Sequence, residues 1–311
     1  MQTLQDFRPA SSSGRSRGRI LRLMSAAFAG LLLTPALAAC SNPTPIKVSV
    51  QEPGGLRTST CETAYSRAST REHLDMGPFG IATAESYEET AQSWIDAAVE
   101  CPSRRDEAAV YAARAHMRAW HVQSREAAGA KPSTSLAISS SDNLDTAAAT
   151  MGKEAATQAA KGEDMAGFAM SILAARHAGA EWMLSLSDAH TTAGQILVSH
   201  LEADPRPGTY SVQELLAHPD TIIDKANGLR SPTTALVEMN AARSILASID
   251  AMSKTTSGTG KHREGSADEA ARNHRKAVRE LTDLAVSHIY LSLAFGYPNT
   301  KTAIFAPLSA S

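Results

Sequence analysis

The sequence predicts an all-α protein: a multi-helix, largely antiparallel bundle preceded by a flexible tether. Three observations lead there. The chain is rich in alanine, and aromatic residues make up only 5% of it; alanine has the highest helix propensity and lets helices approach closely. Apolar residues recur at spacings of three and four through most of the chain beyond residue 85. Capping and breaking signals, rather than alternating strand patterns, punctuate these segments.

Residues 40–60 form the tether. Ser41-Asn42-Pro43-Thr44-Pro45 and Pro53-Gly54-Gly55 supply proline, glycine and polar side chains, and nothing that packs a core. A short helix around Thr63–His73 precedes a loop at Gly77-Pro78-Phe79-Gly80. Ser86 and Glu89 make a capping box for a helix over about 87–100, striped by Tyr87, Ala91, Trp94, Ile95 and Ala98. Cys101-Pro102 stops it, because proline disfavours helix at the residue before it. Ser103 caps the next helix, over about 104–128, with Ala109, Val110, Ala113, Met117 and Trp120 on one face. After a Ser-rich loop at 130–141, an Ala-rich helix runs to about Ala160, and Gly162 separates it from a stronger one over about 163–186. The wide apolar face of that helix makes it the candidate central element.

A further helix over about 189–202 ends at Asp204-Pro205-Arg206-Pro207-Gly208. Ser211 and Glu214 cap a short helix to His218, and Pro219 opens another helical turn to Ala226. Ser231-Pro232 fits an N-cap followed by proline at the first helical position. The helix it opens runs to about Met252, with Val237, Ala241, Ile245 and Ile249 inward. A Gly- and Thr-rich loop over 253–265 leads to a long last helix, capped by Ser266 and reaching about Leu293. The tail, from Gly296-Tyr297-Pro298 to Ile304-Phe305-Ala306-Pro307-Leu308, is expected to pack across the bundle. No repeat of fixed period is present.

The N-terminus carries an address. Arg8, Arg15, Arg17, Arg19 and Arg22 form a basic region, and Asp6 is the one acid before Cys40. A short apolar stretch rich in Ala, Gly and Leu follows, broken by Pro35 and closing on Leu37-Ala38-Ala39-Cys40. An apolar run of this length, with small residues before a cut, is a signal peptide rather than a membrane span. Leu37-Ala38-Ala39-Cys40 resembles the lipobox of bacterial lipoproteins. The resemblance covers these four residues and the segment upstream. It implies that the Cys40 thiol is diacylated, that cleavage falls just before it, and that the chain sits on the extracytoplasmic face of the cell membrane. Two acyl chains, at about 0.8 kcal/mol per buried methylene, suffice for stable anchoring. The expected division is 1–39 signal peptide, 40–60 lipidated cysteine and tether, and 61–311 a single helical domain.

The 30 basic and 32 acidic residues of the chain become 25 and 31 once the five arginines and Asp6 are removed, a formal charge of −6. Nucleic acid is therefore not an expected partner. Cys61 and Cys101 remain in an oxidising compartment and are expected to pair. The loop of roughly 40 residues would be worth on the order of 4 kcal/mol in the chain-entropy model. Two free buried thiols are the alternative.

Candidate chemistry is sparse. On the last helix Ala271, His274, Val278, Leu281, Ala285, His288 and Ser292 share one stripe. His274 and His288 thus face inward about 21 Å apart, too far for one shared metal. His177 and Glu181, four apart, can touch on the strongest helix and either hold a ligand or act as an ordinary helix pair. Met117 and His121, beside Trp120, have the same spacing; a Met-His pair suits copper or haem, and core packing is the favoured explanation. Ferritin-like di-metal bundles need Glu-x-x-His on two helices, and none of the ten histidines has Glu three residues before it. No His-Glu-x-x-His, Gly-x-Ser-x-Gly or phosphate-binding glycine loop is present. No catalytic residue, metal or cofactor is assigned on this basis, and a non-enzyme is favoured. Arg272, Arg275, Lys276 and Arg279, extended by Lys261, His262 and Arg263, make a basic stripe that suits an anionic partner or is simply a solvated face.

Two functions follow. One is a membrane-anchored helical lipoprotein that binds an envelope protein or an anionic envelope polymer. The other is a helical bundle that holds a metal or small ligand through His177, Glu181, His274 or His288.

Overall fold

The computed structural model describes residues 59–75, 82–126, 141–207, 209–256 and 264–299. The signal segment, Cys40, nearly all of the tether, the basic residues at 261–263 and the tail beyond 299 lie outside them. The described residues form a helical bundle: α1 (Thr60–Asp75), α2 (Ala84–Glu100), α3 (Arg105–Glu126), α4 (Ser141–Thr150), α5 (Lys153–Arg176), α6 (Glu181–Val198), α7 (Gln213–Ala217), α8 (Thr233–Thr256) and α9 (Glu264–Ala294), with one short hairpin, β1 (Thr221–Ile223) and β2 (Arg230–Pro232). None of these helices is long and apolar enough to cross a membrane.

The first three helices stack as a sheaf, α1 on α2 and α2 on α3, and α2 and α3 also pack against α9. Ser59 and Glu62 cap α1 reciprocally: the Ser59 hydroxyl accepts from the Glu62 N–H at 3.1 Å, and the Glu62 carboxylate accepts from the Ser59 N–H at 2.9 Å. Thr83 caps α2, accepting from the Ser86 N–H at 3.1 Å. Trp94 fills the centre of the sheaf, stacked on Tyr111 at 4.6 Å and edge-on to Tyr65 at 5.1 Å. Its indole N–H donates to Glu72, whose other oxygen accepts from Arg118. Cys61 and Cys101 are disulfide-bonded, as expected, joining the start of α1 to the end of α2 with Cα atoms 4.7 Å apart.

The second group is a four-helix bundle of α5, α6, α8 and α9. Helix α5 packs on both α6 and α8, and α8 packs on α9. Helix α4 lies against α6 and α9. Antiparallel packing is fixed by pairs such as Ser292 near the end of α9, whose hydroxyl donates to the Ala235 carbonyl near the start of α8 at 2.7 Å. The core is built largely from alanine, with Leu173, Leu186, Ile245, Ile249, Leu281 and Ile289 between.

Several boundaries differ from expectation: Thr83 rather than Ser86 caps α2, Val212 with no side-chain bond precedes α7, and Ser266 lies within α9. The expected break at Gly162 lies inside α5, which runs unbroken from Lys153 to Arg176. A Cβ at Gly162 would stand 2.4 Å from the Ser244 side chain, so the glycine lets α8 approach. The real breaks are at Met151-Gly152, between α4 and α5, and at 177–180, where Gly179 has φ +75°. His177 and Glu181 therefore sit on either side of a turn, not on one helix. The helical turn expected at Pro219–Ala226 is instead strand β1, paired antiparallel with β2 through Ile222 and Ser231. Thr221, Ile222 and Ile223 are β-branched. The Asp224 and Asn227 side chains accept from the N–H groups of Ala226 and Leu229, both at 2.9 Å, and turn the chain. Ser231-Pro232 closes that strand rather than opening α8. Tyr297 does pack across the bundle: its hydroxyl meets Asn227 at 2.9 Å, Arg243 at 3.2 Å and Asp224.

Candidate metal centre

Each helix of the four-helix bundle places one ionisable side chain at the same level of the core. They are Glu163 on α5, His190 on α6, Glu238 on α8 and His288 on α9, all 0% exposed. Each lies in its helix's apolar stripe. Glu163 follows Ala156 and Ala160 and precedes Gly167 and Met170; His190 sits between Met183 and Leu186 on one side and Ala193 and Leu197 on the other. Tertiary packing, not local sequence, therefore carries these groups inside.

The four side chains close a ring. His190 Nδ1 lies 2.7 Å from one oxygen of Glu163, and His288 Nε2 lies 2.7 Å from the other. Across the ring, His288 Nδ1 is 2.8 Å and His190 Nε2 3.2 Å from the two oxygens of Glu238. The imidazoles are nearly parallel, 4° between planes and 5.1 Å between centroids. The pattern has an approximate two-fold character. The hairpin α5–α6 and the pair α8–α9 each bring one Glu and one His, and each His turns Nδ1 to the Glu of its own pair and Nε2 to the other.

Four imidazole N–H groups and four carboxylate oxygens match one to one, so the ring is fully satisfied when both histidines are cationic. Burial opposes every one of these charges. For Glu163 the opposite charge of His288 and hydrogen bonds from both rings outweigh burial and hold its carboxyl down at about 2. For His190 the charge of Glu238 and hydrogen bonds to both carboxylates overcome burial and push it up to about 10. His288 is raised and Glu238 lowered against burial in the same way, by Glu163 and by His190 respectively.

Two glycines shape the site. A Cβ at Gly167 would lie 3.2 Å from the His190 Cβ and 3.0 Å from the Ser187 carbonyl; one at Gly194 would lie 3.5 Å from the Glu163 Cβ and 3.3 Å from the Ala160 carbonyl. Each is four residues after a ring member on its own helix and admits the ring member of the facing helix. One ligand atom from each of Glu163, His190 and His288 lies within 4.8 Å of the others, a spacing that could hold a metal ion.

Of the residues singled out from sequence, the structure brings only His288 into this ring. His177 follows the end of α5 with Asp220 3.8 Å away, and Glu181 begins α6. His274 is half-buried four turns before His288, its pKa lowered by burial and by the Arg105 charge. Of the basic stripe, Arg275 pairs with Glu100, and Arg279 reaches Asp96 at 2.5 Å and Gln92 at 3.1 Å, so two of its four charges meet α2. Arg272 and Lys276 are exposed beside the same groove. Glu163, His190 and Glu238 were not anticipated. The signal that marks them is a charged side chain centred on an apolar stripe, with glycine four residues further on for the first two.

No family model, curated protein or solved structure matches this chain.

Proposed function

We propose that this chain is a lipoprotein, anchored through acylated Cys40 on the outer face of a bacterial cell membrane, whose helical domain holds a divalent transition-metal ion in its core. One observation carries the metal reading: four fully buried ionisable side chains, one from each helix of a bundle, converge with three ligand atoms inside 4.8 Å. Two charged pairs in such a core are a weak source of stability, since apolar residues of similar volume often do as well or better. A stability role alone thus gives little reason for them. Imidazole and carboxylate together suit first-row divalent ions such as zinc and iron. The anchor rests on the resemblance of Leu37-Ala38-Ala39-Cys40 to a lipobox.

The test is the metal content of the protein purified without chelator, read by native mass spectrometry and elemental analysis. A stoichiometric first-row ion, lost on Glu163→Gln, supports the reading. A metal-free chain whose melting temperature does not move with manganese, iron, cobalt or zinc refutes it. A second reading, recognition of an anionic envelope component, draws on exposed Arg272 and Lys276. It predicts that Arg272→Glu with Lys276→Glu weakens binding to anionic vesicles or wall polymer.

A further inference from the structure

This inference rests on the metal reading above and concerns the form of the site. We propose that the ring is a one-ion centre with two unequal carboxylates: Glu163 ligates the ion together with His190 and His288, and Glu238 is a positioning residue that accepts the opposite N–H of both imidazoles.

The asymmetry is in the contacts. Both oxygens of Glu163 stand 2.7 Å from a ring nitrogen, His190 Nδ1 on one and His288 Nε2 on the other. Each carboxylate thus faces one nitrogen of each ring, and the Glu163 pair is the closer, with one ligand atom each of Glu163, His190 and His288 within 4.8 Å. The Glu238 contacts are longer, at 2.8 and 3.2 Å, and fall on the two remaining nitrogens. An imidazole that ligates through one nitrogen keeps its tautomer and orientation when a carboxylate accepts a hydrogen bond from the N–H of the other. Here a single carboxylate does this for two rings at once, which accounts for their near-parallel arrangement.

The count of one ion comes from positions three residues before each histidine. Two-ion centres in four-helix bundles take a Glu from each of two helices and a Glu-x-x-His from each of the other two. This chain places Glu163 on α5, Glu238 on α8, and a histidine on each of α6 and α9, as that plan requires. The two positions that would supply the remaining carboxylates are Ser187 and Ala285, both buried. The Ser187 hydroxyl donates to the Gly167 carbonyl at 2.8 Å, and Ala285 offers no ligand atom. Two ions would have to divide two carboxylates and two imidazoles, whereas one ion finds three ligands and a supporting hydrogen-bond acceptor. Two imidazoles and one carboxylate leave coordination positions open and favour iron, cobalt or zinc over calcium or magnesium, which take oxygen ligands.

The experiment is a Co(II) titration of the metal-free full chain in detergent, followed by native mass spectrometry and the visible cobalt spectrum. One ion per chain is expected. Glu238→Gln should still take one ion at saturation, with affinity lowered roughly 10–100-fold and shifted cobalt bands. Glu163→Gln should lose more affinity than that, and Glu238→Asp should recover part of the loss. Should either glutamine variant fail to fold, X-ray absorption on the unmodified cobalt protein decides: two imidazoles and one carboxylate are expected. Two ions per chain, two carboxylate ligands, or a Glu238→Gln loss as complete as that of Glu163→Gln overturns the proposal while leaving metal binding intact. No uptake of Co(II) or Zn(II) by the unmodified chain defeats the metal reading itself.

Discussion

Removing one member of the ring strands the charge opposite it. In the metal-free protein Glu163→Gln or Glu238→Gln is expected to cost about 3–5 kcal/mol, read from urea midpoints, because an unpaired buried charge remains. Replacing all four of Glu163, His190, Glu238 and His288 by leucine together is expected to leave stability nearly unchanged or higher while abolishing metal uptake. The pH profile distinguishes the two proteins. His190 is raised from 6.5 to about 10, so its contribution is complete below 6.5 and is lost as pH climbs through 10. Glu163 is lowered from 4.5 to about 2, so its contribution is complete above 4.5 and is lost as pH falls through 2. The metal-free native chain should thus gain most from the ring between pH 4.5 and 6.5, declining on both sides relative to the leucine variant. A difference between the two that stayed constant from well below pH 4.5 to well above pH 6.5 would contradict the assignment of charge to the ring.

Among elements, the pairing of α5 with α6 and α8 depends on the absence of a side chain at Gly162, Gly167 and Gly194. Gly162→Ala drives a Cβ into Ser244, whose hydroxyl donates to the Gln158 carbonyl at 2.9 Å. A loss of about 1–3 kcal/mol is expected in thermal or urea unfolding, the usual cost of overpacking. Gly179→Ala meets no atom within 4 Å, and its cost of about 1–2 kcal/mol comes only from the left-handed backbone. These two glycines also show why the sequence was legible in some places and not in others. Gly162 reads as a breaker and Gly179 falls inside the expected 163–186 helix, and only long-range contact reverses the two: Gly162 is spaced for α8, and Gly179 sits at a real turn. Helices α2, α3 and α9 were readable from their apolar stripes, while their expected caps at Ser86, Ser103 and Ser266 were displaced by a few residues. His288 was readable as an inward group on the last helix. Its partners were not, since Glu163 is 125 residues away and Glu238 is 50, and a search for Glu-x-x-His within one helix cannot find them.

For the molecule as a whole, the ring couples two halves that are each incomplete. Neither α5–α6 nor α8–α9 can bury its own Glu and His with all nitrogens and oxygens satisfied, so the two are expected to unfold together. Amide exchange around residues 163, 190, 238 and 288 should share one opening energy, and a bound ion at 100 times its Kd should raise it by about 2.7 kcal/mol. The disulfide acts elsewhere. Reducing Cys61–Cys101 should lower stability by on the order of 4 kcal/mol, measured against the oxidised protein in the same denaturant series. The bond also decides how the protein bears load. Tension on the chain ahead of Cys61 crosses directly to Cys101 at the start of α3, so α1 and α2 hang as a covalent loop outside the line of pull. Stretched from its N-terminal end, the oxidised domain should yield a contour shorter by roughly 140 Å than the reduced one. Residues 62–100 would stay out of the extension even after α3 and the bundle beyond it have been drawn out.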